Sequence, residues 1–317
     1  MTPEEAAQHN RTAPHTAQAR ACPSCGRYIT TPGNDMRIIR VFPRRTKATP
    51  TDVLAVVGEP RFFDEADEVH ISVAFTWDLP EAERLAKAWR HVAQVKIGGP
   101  AVGTVGGAFT PGQYLRHGYT ITSRGCPEKC WFCAAWKRDG AVTRPLPIHP
   151  GWNVLDDNLL ACPMDHIRRV FDMLRQQPRR CEFTGGLHAD RVTPEIVGLL
   201  SSLKPRPAIW LAYDEDRDLD PLRNACRLLQ DAGWTQASHR LRCYVLCGWP
   251  GDTHEAAEAR LRTALDCGCT PMAMVYRNPT GEEPEGWRKW ARQWIRPAII
   301  HSNARDEKTV DPAAATP

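Results

Sequence analysis

Between residues 117 and 280 the chain keeps a regular beat of short apolar runs and longer amphipathic stretches, and this beat limits the folds open to it. The apolar runs at 117–122, 153–160, 181–185, 208–213, 241–248 and 272–276 predict strands. The stretches at 164–176, 193–203, 219–232 and 253–267 carry apolar residues at helical spacing and predict helices. A strand followed by a helix and another strand is the unit of a parallel sheet, because a parallel return needs a crossover. Repetition of that unit implies an α/β fold, either a barrel or a doubly wound sheet.

A shorter version of the pattern precedes it. Strands are expected at 37–42, 53–57, 69–75 and 95–97, with an amphipathic helix over 80–92. They predict a small Rossmann-like α/β domain over residues 36–112, joined to the rest by the Gly-rich stretch 98–112. Residues 1–35 are rich in Pro, Thr, Ala, His and Gln and predict a flexible tail around one knuckle, Cys22-Pro23-Ser24-Cys25-Gly26. The main domain is expected over 113–283, followed by a C-terminal Trp-rich helix at 284–296 and a disordered tail to residue 317.

Several function classes are set aside by composition. Net charge is +4, too small to argue for nucleic acid by itself. No apolar run has the length of a membrane span, and Met1 to Ala21 lacks the apolar core of a secretion signal. A cytoplasmic protein with no membrane partner is therefore expected. Twelve cysteines in such a chain point to thiolates for metal rather than disulfides. Seven of them, Cys162, Cys181, Cys226, Cys243, Cys247, Cys267 and Cys269, stand among apolar neighbours and are expected as core filler.

Three others form a motif. Arg124-Gly125-Cys126-Pro127-Glu128-Lys129-Cys130-Trp131-Phe132-Cys133 directly follows the first strand of the main domain. The CxxxCxxC spacing of Cys126, Cys130 and Cys133 lets three thiolates wrap three corners of a [4Fe–4S] cubane. Such a cluster ordinarily takes four thiolates, so three local ligands leave one iron open to another molecule. Zinc sites usually show paired CxxC knuckles and ferredoxins a fourth nearby cysteine. Neither pattern accompanies this motif.

This segment resembles the signature of the radical S-adenosylmethionine (SAM) superfamily. The resemblance implies a partial (β/α)6 barrel behind the Rossmann-like layer, a [4Fe–4S] cluster on Cys126, Cys130 and Cys133, and SAM as cofactor. It further implies reductive cleavage of SAM to a 5′-deoxyadenosyl radical that abstracts hydrogen from a substrate. An electron donor such as flavodoxin or ferredoxin follows from the same resemblance. The substrate is a small molecule, a nucleoside or RNA, or a peptide. Phe132 occupies the aromatic position that the family sets near the adenine. Glu182-Phe183-Thr184-Gly185-Gly186-Leu187 resembles the family's Gly-Gly-Glu motif, which implies that Gly185 and Gly186 bind the methionine end, although Leu187 replaces the Glu. Tyr213, with Asp214 beside it, ends a strand where many members contact ribose or the methionine carboxylate. Gly248 and Pro250 match the strand end that passes beside adenine, with Asp252 or Thr253 capping the next helix. Leu155-Asp156-Asp157-Asn158-Leu159-Leu160 resembles a segment of cobalamin-linked and methylthiolating members.

The N-terminal layer itself resembles the end of the cobalamin domain found in one branch, through Ile97-Gly98-Gly99-Pro100. That branch uses D-x-H-x-x-G to ligate cobalt. No such segment lies between Met36 and Gly112, and His70 has the wrong spacing, so no cobalamin is expected. Trp287, Trp290 and Trp294 recur at helical spacing and are expected as a core stripe. A contrasting reading makes that stripe and the Cys22/Cys25 knuckle a nucleic-acid contact of a non-catalytic iron–sulfur or zinc module.

Overall fold

The computed structural model describes residues 36–103, 107–296 and 299–300, with the backbone of two short paired strands at β1 (Arg20–Ala21) and β2 (Tyr28–Ile29). The Cys22/Cys25 knuckle lies outside the described residues.

The first layer is a parallel sheet of β3 (Ile38–Phe42), β4 (Ala55–Val57), β5 (Glu68–Ser72) and β6 (Gln94–Gly98), in the order β4-β3-β5-β6. Helix α1 (Leu79–Trp89) buries Ala82, Leu85, Ala86 and Trp89, a stripe one helical face wide, against Ile39, Val41, Val69 and Ile71. Among the described residues it is the one α-helix of this layer. This layer is thus a small parallel α/β unit of four strands and one described α-helix.

The second layer begins with β7 (Tyr119–Thr120), then β8 (Ser123–Arg124), α2 (Ala135–Asp139) and β9 (Arg144–Pro145). It continues through β10 (Asn153–Val154), α3 (Met164–Arg175), β11 (Glu182–Phe183), α4 (Pro194–Ser202), β12 (Ile209–Ala212) and α5 (Leu219–Asp231). It closes with β13 (Leu241–Cys247), α6 (His254–Asp266), β14 (Thr270–Val275) and α7 (Trp287–Ala291). Strands β7, β10 and β11 form one parallel sheet, and β12, β13 and β14 another. A parallel bridge from Glu182 to Ala208, and the Leu187 amide donating to the Trp210 carbonyl at 2.8 Å, join β11 to β12. The parallel strands therefore follow one another in chain order, each pair from β10 onward connected by a helix.

The helices form where the sequence places them because their apolar residues recur on one face. In α3 these are Ile167, Val170, Phe171 and Leu174, and in α5 Leu222, Ala225, Cys226 and Leu229. Strand β13 alternates, with Leu241, Cys243, Val245 and Cys247 buried. Six of the seven filler cysteines are buried, and Cys267 is half-buried. Cys226 and Cys269 touch, their sulfurs 3.1 Å apart.

The strands expected over 117–122 and 181–185 are shorter, confined to Tyr119–Thr120 and Glu182–Phe183, and two further expectations need correction. The run 153–160 is not one strand: β10 stops at Val154, and Leu159–Ala161 is a 3-10 turn. Asp156 to Asn158 turn their side chains onto a neighbouring loop instead of continuing the strand. The C-terminal helix over 284–296 is also shorter, because α7 tightens into a 3-10 turn at Arg292–Trp294. Trp287 and Trp294 are buried in the main core, as a core stripe requires.

The two layers meet where the segments after β5 and β14 pack together. The Arg277 guanidinium lies 4.9 Å from the Trp77 ring centroid, and a Cβ on Gly281 would fall 2.3 Å from Trp77 Cβ. The linker is anchored on the first sheet: Arg40 donates to the Gly112 and Gln113 carbonyls, and Arg116 to that of Ala48.

Candidate metal centre

The three motif cysteines lie in the loop between β8 and β9, an antiparallel pair inserted between two parallel strands. Gly125 opens the loop at φ 89°, a left-handed value that a side chain resists. A Cβ there would stand 2.3 Å from the Val142 carbonyl oxygen, so the glycine lets the two arms of the hairpin approach. The Cys126 amide then donates to the Gly140 carbonyl at 3.1 Å. The Cys133 amide turns back onto the Cys130 carbonyl, also at 3.1 Å, and the same carbonyl accepts from Trp136 Nε1 at 2.9 Å. All three thiols are free and half-buried. Burial pushes Cys130 up to about 11, with the neighbouring thiols of Cys133 and Cys126 adding to it. Burial raises Cys133 as well. Metal binding here must therefore displace thiol protons.

The turn after β10 holds this loop. Asp156 is buried and accepts from Thr122 N and Thr122 Oγ1, each at 2.6 Å, and from Ser123 Oγ at 2.7 Å. Asp157 accepts from Gly125 N at 2.8 Å and from Arg138 at 3.3 Å. Asn158 Nδ2 donates to Cys126 Sγ at 3.5 Å. Burial raises the affinity of both carboxylates for a proton, and their hydrogen bonds oppose it.

The Gly-Gly turn after β11 borders the same place. A Cβ on Gly185 would sit 2.5 Å from the Asp156 carbonyl oxygen, whereas one on Gly186 would find its nearest neighbour at 3.6 Å. Gly186 is needed for its φ of 80°. Its amide already donates to the Phe183 carbonyl. Leu187, where the family motif has Glu, is buried in the core. The carboxylate beside this turn comes from the cysteine loop instead: Glu128 accepts from Arg191 at 3.0 Å and lies 3.7 Å from His188 Nδ1.

On the other side stand the ends of β12, β13 and β14. Tyr213 is buried in the main core, and it is its neighbour Asp214 whose charge reaches Cys130. Burial lifts Asp214 to about 6, partly offset by the Leu246 amide that it accepts at 2.7 Å. Gly248 is buried beneath Trp287, with a Cβ position 2.7 Å from the indole, and Pro250 is exposed. Asp252 accepts from Gly248 N and from Arg260, leaving Thr253 as the N-cap of α6. Trp131 spans the gap, in ring contact with Phe132 at 5.3 Å, Tyr276 at 5.8 Å and Trp249 at 6.3 Å. Sequence reasoning passed over Trp131, Trp249 and Tyr276. Trp131 stands inside the motif, but the other two become visible only through contact.

Among the described residues, no three His, Cys, Asp or Glu side chains converge on a position for one metal ion. A cubane makes a different demand, since each thiolate binds a separate iron. Three half-buried thiols on one loop, with an amide donor on one sulfur and no fourth cysteine of the motif, are a donor set that fits it. No protein-family model and no curated protein matches the chain.

Proposed function

We propose that this protein is a radical SAM enzyme, with Cys126, Cys130 and Cys133 as cluster ligands on a partial (β/α)6 barrel formed by β7, β10, β11, β12, β13 and β14. The observation that carries the reading is the placement of all three thiols in one half-buried loop after the first of these strands, bordered by the ends of the others. When bound, a [4Fe–4S] cluster supplies the electron that cleaves SAM to a radical able to abstract hydrogen from substrate. The chain's own residues hold and enclose that place. Gly125 and Gly140 shape the loop, and Asp157 fixes it through the Gly125 amide. Gly185 and Gly186 bring backbone close to the site, and Phe132 and Trp131 cover it toward Trp249 and Tyr276. Tyr213 supports this edge from within the core, while Asp214 accepts from the Leu246 amide beside it. Gly248 and Pro250 lie beside Trp249 at the end of β13. The electron comes from a flavodoxin or ferredoxin.

The test is anaerobic reconstitution. The expected product is a brown protein with about four irons and four sulfides per chain that releases 5′-deoxyadenosine from SAM under reduction. Cys126→Ala, Cys130→Ala and Cys133→Ala should each abolish cleavage, because two thiolates cannot hold the cubane. Cys226→Ala, in the core contact with Cys269, should keep its iron. Iron loss in Cys226→Ala equal to that in Cys126→Ala would defeat the assignment, as would a colourless zinc protein.

A further inference from the structure

The turn after β10 clamps the cysteine loop in register. Three successive side chains meet three successive points on the neighbouring segment: Asp156 takes Thr122 and Ser123, Asp157 takes Gly125, and Asn158 reaches Cys126. The two segments continue the direction of the parallel β7–β10 pair. The first two members of the set are acceptors that fix backbone and hydroxyl groups. The third is an amide, and it is the one that faces sulfur. Asn158 is 7% exposed, so its amide group has little water to turn to. Asp156 and Asp157 fix the segments that lead into this contact, which restricts the direction of the Nδ2–H group. A carboxylate at this position would oppose a thiolate, whereas an N–H donor favours it.

We propose that Asn158 is a positioning residue for the metal centre: its Nδ2–H donates to Cys126 Sγ and holds the reduction potential of the bound cluster above the value set by the three thiolates alone. The inference rests on the reading given under Proposed function. Reduction adds negative charge that spreads onto the ligand sulfurs. A donor to one of those sulfurs stabilises the reduced state more than the oxidised one, and so raises the potential. No bond is made or broken by Asn158 itself.

The experiment uses the full chain, reconstituted anaerobically, with iron and sulfide quantified and the midpoint potential read by EPR-monitored reductive titration. Asn158→Leu removes the donor, and Asn158→Asp keeps the shape but turns the donor into a charged acceptor. Both variants should retain the wild-type iron and sulfide content. Both should titrate at more negative potential than wild type, with Asn158→Asp the lower of the two. A potential unchanged in both, with a full cluster, would overturn the proposal. Iron lost from both, while the thermal unfolding of the metal-free variants matches wild type, would also overturn it, since the residue would then serve assembly and not potential. If one substitution prevents folding, the other carries the comparison. A wild-type protein that takes up no cluster defeats the functional reading itself, and that outcome is visible before any variant is made.

Discussion

Gly185 and Gly186 are neighbours under different constraints, and substitutions separate them. Gly186→Ala meets only an ordinary contact at 3.6 Å but must keep a φ of 80°, which costs about 1–2 kcal/mol. Gly185→Ala drives a methyl to 2.5 Å from the Asp156 carbonyl oxygen, so the 156–158 turn must move. It should cost roughly 1–3 kcal/mol. It should also weaken iron retention, because that turn braces the cysteine loop. Urea unfolding and iron content of the two variants check this, and equal iron content would separate the turn from the loop. Asp214 gives a pH signature. Burial raises it from 3.8 to about 6, so the folded state binds its proton more tightly than the unfolded state does. Its charged form opposes folding above pH 6, and stability from this group rises as pH falls from 6 toward 4. Asp214→Asn should remove that dependence. Relative to wild type, the variant should gain on the order of 3 kcal/mol between pH 4 and pH 7.5, read from denaturant midpoints. A constant difference between the two proteins across that range would rule out the raised carboxyl.

At the scale of elements, caps and faces decide where the local pattern ends. Thr253 accepts from the Ala256 amide at 3.2 Å and starts α6, while Asp252 is committed to Gly248 and Arg260. Thr253→Ala should cost about 1 kcal/mol and leave iron content unchanged. Asp252→Ala should cost more, since it leaves Arg260 partly buried without its carboxylate and frees the Gly248 turn. Chemical denaturation of both variants, with iron assays, checks the order. The inverse order would mean that the strand end, and not the helix cap, is the looser part. Helix α7 shows the other limit. Its tryptophans recur at the period of a long helix, yet what they need is burial, and one turn plus a 3-10 turn already places Trp287 and Trp294 in the core.

The whole molecule has two separate apolar cores, one in the β3–β6 layer and one in the β7–β14 layer. They are joined through the linker and through Trp77, which carries Arg277 above it and Gly281 against it. Trp77→Ala should therefore loosen the junction without emptying either core. The expected result in calorimetry is one unfolding transition in the wild type and two in the variant, with the later one belonging to the larger layer. A single transition, merely shifted, would show that the layers fold as one cooperative unit without this contact. No described helix is long and apolar enough to cross a membrane.

What the sequence determined by itself was whatever repeats within a dozen or so residues. The parallel α/β class follows from the alternation of strands and helices. The expected helices at 164–176, 193–203, 219–232 and 253–267 match α3 to α6 nearly residue for residue, because a single buried face imposes a visible period. The cysteine loop was legible for the same reason: its three thiols are local. The strand expected over 153–160 failed because Leu155, Leu159 and Leu160 look like a strand, while Asp156 to Asn158 satisfy a loop 32 to 34 residues earlier. Only the tertiary structure decided those contacts. It brought Asn158 to Cys126, set Gly185 against Asp156, and gathered Trp131, Trp249 and Tyr276. It also buried Tyr213 and set the Asp214 carboxylate on the Leu246 amide. Such pairings depend on the register between strands far apart in the chain, and register is set by the packing of the whole sheet, which no local period records.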